Sequence, residues 1–208
     1  GLAYVDGNTS KVMSSAQDHK RAKDGDEGLN TGGMGNFSPS PFYTEEVGAF
    51  CKKYIYQATV DAMKAEGRPF KGVLYFGLMK TKEGYKVIEY NSRFGDPETQ
   101  VILPMLKTDL MEIFEAVVDE RLEEIKIEWE DGACVCVVLA SGGYPEAYEK
   151  GKEITIGDLD EDVVLCHAGT ALKDGKLVTS GGRVLGVCAR GNDIEQARTK
   201  AYANAEKI

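Results

Sequence analysis

Several features that define common protein classes are absent from this sequence of 208 residues. No apolar run reaches the roughly 18 residues that a membrane-spanning helix needs, and no basic, apolar leader begins at Gly1, so we expect no membrane span and no secretion signal. None of the five cysteines forms a CxxC pair, and the zinc-ribbon and thioredoxin motifs are therefore missing. We predict that these thiols are buried core residues of a cytoplasmic protein.

Positive charge is also scarce. The 25 Lys and Arg residues are outnumbered by 34 Asp and Glu residues, for a net charge of −9. Phosphate backbones and acidic membrane surfaces attract clustered cations, so we expect neither a nucleic-acid nor a membrane partner. The two histidines, His19 and His167, lie far apart in the sequence, and we do not expect them to share a metal ion.

Local patterns divide the chain into an α+β part, residues 1–120, and a small strand-rich part, residues 121–208. The first part shows helical apolar spacing over residues 47–62, behind a capping Thr44, and a long polar stretch over residues 14–41. A loop of that length inside a compact domain is usually functional or disordered. The predicted strands are 2–5, 11–13, 72–80, 85–91, 133–140, 153–156, 163–167, 170–172, 177–179 and 183–189.

Further helices are predicted where a capping side chain precedes an apolar stripe. Asp96 with Pro97 behind it resembles an N-cap followed by proline at the first helical position. Thr108 or Asp109 caps the next helix, and Asp193 caps the last one.

The segment Glu89–Arg93 closes the strand predicted for residues 85–91. Side chains alternate along a strand, so Glu89, Asn91 and, if the strand continues, Arg93 share one face, opposite Ile88 and Tyr90. Carboxylate and amide oxygens suit Mg²⁺, which is often held by one or two protein groups plus substrate phosphates. A guanidinium beside them can clamp a phosphoryl or carboxylate oxygen. The alternative is a solvated strand face with a surface ion pair.

Two neighbouring segments can contact a ligand. A turn into a helix at Asp96 would place oriented amides beside the metal site, and Asp96 itself would serve as a cap, hold an amine, or do both. The segment Gln17–Gly35 carries clustered charges and the string Asn30–Gly35, whose glycines permit close backbone approach. It matches neither the GxxxxGK[ST] nor the GxGxxG phosphate-binding pattern. A flexible surface loop is the other interpretation.

These segments together resemble one family. The strings Ser15–Arg21, Asp24–Asp26 with Asn30–Gly35, Gly72–Tyr75, Val87–Gln100 and Leu139–Pro145 are similar to glycinamide ribonucleotide synthetase, an ATP-grasp ligase. The resemblance covers essentially the whole chain. Its Glu-x-Asn-x-Arg element alone is typical of the wider ATP-grasp superfamily, whereas the string from Gln17 to Gly35 is specific to these synthetases.

The resemblance implies the C-terminal half of an ATP-grasp domain followed by a small strand-rich domain. It also implies a reaction, the ATP-dependent joining of glycine to 5-phosphoribosylamine through a glycyl phosphate, in purine biosynthesis. Glu89 and Asn91 match the ligands of Mg²⁺ or Mn²⁺, while Arg93 and Asp96 match catalytic positions. The implied substrate-binding residues are Lys20, Asp26, Asn30, Thr31, Gly32, Gly33, Met34 and Gly35.

The resemblance also implies missing parts. In the family, an N-terminal domain and an ATP-clamping lobe come before the residues present here, so we expect the chain to be inactive alone. Its partners are then small molecules, and a monomer or weak dimer is expected. Three alternatives are another ATP-grasp carboxylate-amine ligase or carboxylase, a non-catalytic module derived from such an enzyme, and one segment of a multifunctional purine enzyme.

Overall fold

A computed structural model describes all residues, 1–208, and the chain forms two compact units. Unit 1 consists of residues 1–15, 39–95 and 106–130, and unit 2 consists of residues 16–38, 96–105 and 131–208. The units are therefore interleaved along the sequence, whereas a single boundary near residue 120 was predicted. Residues 16–38 belong to unit 2 because they contribute strands to its sheet. Residues 96–105 belong to it because their short helix packs on that sheet. The domain division at residue 120 stays a prediction.

The chain contains thirteen strands and five α-helices. The strands are β1 (Leu2–Asp6), β2 (Ser10–Val12), β3 (Gln17–Asp18), β4 (Arg21–Lys23), β5 (Glu27–Asn30), β6 (Gly35–Ser38), β7 (Lys71–Thr81), β8 (Gly84–Asn91), β9 (Ala133–Ala140), β10 (Val164–His167), β11 (Thr170–Lys173), β12 (Lys176–Thr179) and β13 (Arg183–Gly191). The helices are α1 (Glu45–Cys51), α2 (Gln57–Ala65), α3 (Thr99–Ile102), α4 (Leu110–Val118) and α5 (Ile194–Ala205). None of these helices has the length and apolar character required to cross a bilayer.

Unit 1 is built on an antiparallel sheet with strand order β2-β1-β7-β8. One face packs Ala3, Val5, Leu74 and Phe76 against the α1–α2 helical segment. The aromatic rings of Tyr4, Phe94 and Phe114 form a second contact series, with centroids 6.4 Å apart in each successive pair. The strands predicted over residues 2–5, 11–13, 72–80 and 85–91 all form, as two antiparallel pairs, and β7 is the long interior strand that the apolar run from Gly72 to Lys80 indicated.

The predicted helix over residues 47–62 forms, with Thr44 accepting a hydrogen bond from the Val47 amide, but it is not regular. A π-helical turn, Lys52–Tyr56, joins α1 to α2. Each π turn takes up an extra residue and rotates the following part of the helix. Tyr56 and Val60 are consequently buried, while Tyr54, predicted on the apolar stripe, is largely exposed.

Unit 2 is built on a five-stranded antiparallel sheet with strand order β10-β13-β9-β6-β3. The last two strands in this order, β6 and β3, come from residues 17–38, so the long polar stretch is not a simple loop. It contains four short strands and a 3₁₀ turn at Asp24–Asp26. The expectation of a loop over residues 14–41 was wrong because polar strands this short carry no apolar alternation.

One face of this sheet is covered by α5, which packs Ala197 and Ala201 against Val135 and Ala189. The Asp193 carboxylate caps α5 by accepting a hydrogen bond from the Gln196 amide at 2.8 Å. All five cysteines are free, and four of them are buried. Cys134 is fully buried and is a core residue, as predicted, and this burial raises the pKa of its thiol to about 12.

Candidate functional site

The Glu89 carboxylate and the Asn91 amide sit at the end of β8 in unit 1. Glu89 lies opposite Gly77 and Asn91 opposite Tyr75 in the ladder with β7. Glu89 and Asn91 are two residues apart in a regularly paired part of the strand, so their side chains share one face of the sheet. Ile88 is an extra residue between two register positions, so the predicted alternation does not extend through it.

Gly77 determines where the Glu89 side chain can lie. A Cβ added at Gly77 would fall 2.7 Å from Glu89 Cγ and 3.1 Å from Ile88 Cγ1. Carbon atoms in contact are about 3.5–4.0 Å apart, so no other residue fits beneath Glu89 in this position. The Glu89 side chain thus lies over Gly77, in the space that a Cβ there would fill. The neighbouring Tyr90 contacts Phe76, with ring centroids 5.5 Å apart.

The donor set of this face suits a hard divalent cation. Glu89 offers carboxylate oxygens and Asn91 an amide oxygen, which are ligand types that Mg²⁺ and Mn²⁺ accept. No cluster of three or more His, Cys, Asp or Glu side chains able to hold a metal occurs in the chain. Mg²⁺ held by one or two protein groups commonly completes its coordination with substrate phosphates and water.

Arg93 does not extend the strand face, because β8 ends at Asn91. Its guanidinium is exposed, and Nη1 donates a hydrogen bond to the carbonyl oxygen of Phe94 at 2.9 Å. Arg93 is thus held by a single local contact, which leaves its other donors available for a ligand.

Asp96 lies in unit 2, ahead of α3, and does not cap that helix. The prediction of an N-cap at Asp96 was wrong: residues 96–98 form a turn, and α3 begins at Thr99 behind a Glu98 that makes no side-chain cap. Asp96 Oδ1 instead accepts a hydrogen bond from Gln100 Nε2 at 3.0 Å and forms an ion pair with Arg183 Nη1 at 3.3 Å.

The predicted substrate-binding residues Lys20, Asp26 and Asn30–Gly35 all lie in unit 2. The Lys20 ammonium forms an ion pair with Asp18 at 2.5 Å. Asp26 is exposed in the 3₁₀ turn, with a φ of +59°, and Asn30 ends β5 opposite Arg21. Glu89, Asn91 and Arg93 belong to unit 1, and Asp96 belongs to unit 2 with the loop residues.

The glycines of the Asn30–Gly35 string are explained by close protein contacts. A Cβ at Gly33 would lie 2.6 Å from both Asp18 Oδ1 and Pro97 Cδ, and the φ of Gly33 is +123°. A Cβ at Gly35 would lie 2.8 Å from the carbonyl oxygen of Cys136. Close packing therefore suffices to require glycine at these positions.

The amides of this string are also occupied. The Thr31 amide donates to the Lys20 carbonyl at 2.7 Å, and the Met34 amide donates to the His19 carbonyl at 2.8 Å. The Gly32 amide donates to the Tyr144 hydroxyl, and the Gly33 amide donates to Thr31 Oγ1, both at 3.0 Å. In this conformation these four amides bond within the protein, and the role of the string as a cradle stays a prediction.

Arg183, which sequence reasoning missed, joins the two predicted ligand-binding segments of unit 2. Its Nη1 donates to the carbonyl oxygens of Asp96 at 2.9 Å and Gly32 at 3.1 Å, with that of Gly33 at 3.5 Å. Arg183 lies about 150 residues from Gly32 and Gly33 along the chain. It is the first residue of β13, which the sequence predicted only as a strand without a functional role. No local signal marked it.

Two buried carboxylates of unit 2 were not assigned a role from the sequence, although one of them, Asp18, lies in the predicted segment Gln17–Gly35. The Glu98 residue is 5% exposed, and the Asp18 side chain is 7% exposed. Burial raises the pKa of both carboxyl groups, and the hydrogen bond from Lys20 partly counters this for Asp18. Raised carboxyl pKa values cluster at functional sites, although structural networks produce them too.

Comparisons with known proteins agree on one family. Residues 1–99 match the ATP-grasp (A) domain of phosphoribosylglycinamide synthetase, and residues 134–208 match its C domain. The phosphoribosylamine–glycine ligase of Caldanaerobacter subterraneus subsp. tengcongensis is 50% identical over 207 residues, which are 100% of this chain and 50% of the relative. The trifunctional purine biosynthetic protein adenosine-3 of Gallus gallus is 53% identical over 210 residues, 100% of this chain and 21% of the relative.

A solved structure gives the same result. The chain matches the phosphoribosylamine–glycine ligase of Thermotoga maritima with a TM-score of 0.82 and 42% identity, over 99% of this chain and 51% of that one. The chain spans about half the length of these ligases.

Proposed function

The chain belongs to the phosphoribosylglycinamide synthetase family, and we propose that it is the metal- and substrate-binding half of an ATP-dependent ligase that joins glycine to 5-phosphoribosylamine. ATP transfers its γ-phosphoryl group to the glycine carboxylate, which forms glycyl phosphate and ADP. The amine of phosphoribosylamine then attacks the acyl carbon and expels phosphate, which leaves glycinamide ribonucleotide.

The observation that carries this proposal is the Glu89–Asn91 face, with the Glu89 side chain seated over Gly77. A Mg²⁺ or Mn²⁺ ion held there would neutralise phosphate charge when bound. Arg93, whose guanidinium makes one local contact, supplies donors for the negative charge that develops on the acyl phosphate. Asp96 provides a carboxylate for the glycine amine, and Lys20, Asp26 and residues 30–35 are proposed to contact phosphoribosylamine or the phosphoryl group.

The proposal includes a requirement for further protein. The chain spans half of its ligase relatives, and we propose that it does not turn over alone. The free state of all five cysteines supports the cytoplasmic location that belongs to this proposal. A monomer or weak dimer stays a prediction.

The test is a chimeric ligase in which this chain replaces the 207 matching residues of the Caldanaerobacter ligase. ADP release is measured with ATP, Mg²⁺, glycine and freshly generated phosphoribosylamine. We expect release that needs both substrates and falls by about 10²-fold or more in Glu89→Ala, while the chain alone releases none. The control is Gly142→Ala, since a Cβ there meets no atom within 4 Å.

Three results would count against the proposal. Release that is independent of glycine or of phosphoribosylamine indicates a different ATP-grasp reaction. A Glu89→Ala chimera as active as its parent removes Glu89 from the metal site. Product formation by the chain alone contradicts the need for the other half.

A further inference from the structure

The Arg183 guanidinium holds two separate segments of unit 2 together through one nitrogen. Its side chain is 23% exposed, and Nη1 contacts the carbonyl oxygens of Asp96 and Gly32 at 2.9 and 3.1 Å. A guanidinium NH₂ group has two hydrogens, so these two carbonyls take one hydrogen each. The Gly33 carbonyl at 3.5 Å and Asp96 Oδ1 at 3.3 Å share them in weaker, three-centre geometry.

Gly32 packs directly against the guanidinium. A Cβ at Gly32 would lie 2.9 Å from Arg183 Cζ and 3.0 Å from both Nε and Nη2. The φ of Gly32 lies outside the left-handed region, so its own backbone does not demand glycine. A Cβ at Gly32 would instead displace the neighbouring guanidinium, because only a residue without Cβ allows it to rest on the chain at this point.

We propose that Arg183 is a positioning residue, which pins the Gly32–Gly33 turn to the Asp96 turn, and that Gly32 is glycine in order to admit the guanidinium. The pinned segments are the ones proposed to bind phosphoribosylamine and glycine. The catalytic consequence of this pinning therefore rests on the proposed function, whereas the pinning itself does not.

The structural half is tested on the chain itself by hydrogen exchange of the Gly32 and Gly33 amides. Arg183→Met removes the donors. Gly32→Ala keeps Arg183 but pushes its guanidinium away from the turn. These amides donate to the Tyr144 hydroxyl and to Thr31 Oγ1, and both bonds depend on the turn staying in place. Loss of the Arg183 bonds to the Gly32 and Gly33 carbonyls frees the turn, so both variants are expected to exchange these amides at least about tenfold faster. The double variant should be no worse than either single one, because both remove the same interaction.

Gly142→Ala, a glycine variant of the same unit with no neighbour within 4 Å, should exchange these amides as the parent does. Unchanged exchange in Arg183→Met or in Gly32→Ala overturns the pinning, and so does an additive double variant. Melting curves of all variants identify any that fails to fold, in which case the other single variant decides.

The catalytic half is tested in the chimeric ligase. We expect Arg183→Met and Gly32→Ala to raise the KM for glycine and for phosphoribosylamine by about tenfold or more while the KM for ATP stays within about twofold. Arg183→Lys keeps the charge without the planar fork, and it should restore part of the loss. A general loss of folding would lower kcat without this selectivity.

The two arms separate the two proposals. If the Gly32 and Gly33 amides exchange faster in the variants while the parent chimera releases no ADP, the pinning is supported and the proposed function is rejected. Faster exchange with unchanged KM values in an active chimera rejects the positioning role. An equal rise in all three KM values also rejects it.

Discussion

Replacing Gly77 by alanine tests whether the seat of Glu89 sets the metal site. The added Cβ would lie 2.7 Å from Glu89 Cγ and 3.1 Å from Ile88 Cγ1. Since carbon contacts need about 3.5–4.0 Å, the Glu89 side chain must retreat by about 1 Å. Glu89 is exposed, so it has room to move, and the strain is relieved by displacing the carboxylate instead of unfolding the strand.

The magnitude follows from that displacement. A misplacement of about 1 Å in a catalytic arrangement costs about 10²-fold in rate. Stability should change little: alanine in a strand interior gains about 0.5–1 kcal/mol over glycine from the backbone, which offsets part of a steric cost of about 1–3 kcal/mol. The expected variant is therefore folded and defective in catalysis.

The assay is ADP release by the chimeric ligase across a Mg²⁺ titration, accompanied by a melting curve of the chain. For Gly77→Ala we expect kcat/KM to fall by about 10²-fold, with a higher Mg²⁺ concentration needed for half-maximal rate. The Gly142→Ala control should match the parent in both respects. A folded Gly77→Ala variant with activity within about twofold of the parent would falsify the reasoning, since Glu89 would then not need its seat.

Two further predictions concern stability. Burial raises the pKa of Glu98 above its usual 4.5, so the folded state binds more protons than the unfolded state and the unfolding free energy rises as pH falls through the raised pKa towards 4.5. Glu98→Gln should be more stable than the parent at neutral pH and show a flatter pH profile in melting experiments, with the slope due to Asp18 retained; an unchanged profile contradicts this. Asp193→Ala removes the cap of α5 and should cost about 1 kcal/mol, seen as faster hydrogen exchange in the first turn of α5, whereas Asp109→Ala, which uncaps α4, should leave α5 unaffected. Equal exchange in the parent and Asp193→Ala would show that the cap contributes nothing.

Elements with a strong local signal were predictable from the sequence. The apolar run Ala133–Ala140 is a strand with those bounds, because a β-branched and apolar run flanked by turns has few other uses. The caps at Thr44 and Asp193 work as expected for the same local reason. The strand bearing Glu89 and Asn91 was found because a turn separates two apolar runs.

The remainder depended on contacts that local patterns do not record. The strand Gly35–Ser38 exists because it pairs with β9, about 100 residues later. The apolar stripe of α1 and α2 was misplaced because a π turn has no sequence signature of its own. Asp96 looked like a cap but bonds to Gln100 and Arg183, and the importance of Arg183 arises from residues that are distant along the chain.

The interleaving of the two units has a consequence for synthesis. Unit 1 is complete once residue 130 has been made, whereas unit 2 needs residues up to the end of the described chain. The strand β6 must therefore wait for β9, which begins at Ala133. At the usual rate of translation this delay is about 5 to 20 s. During that time unit 1 is itself incomplete, and residues 16–38 keep an unpaired strand edge. A polar, glycine-rich segment exposes such an edge with less risk of misassociation than an apolar one.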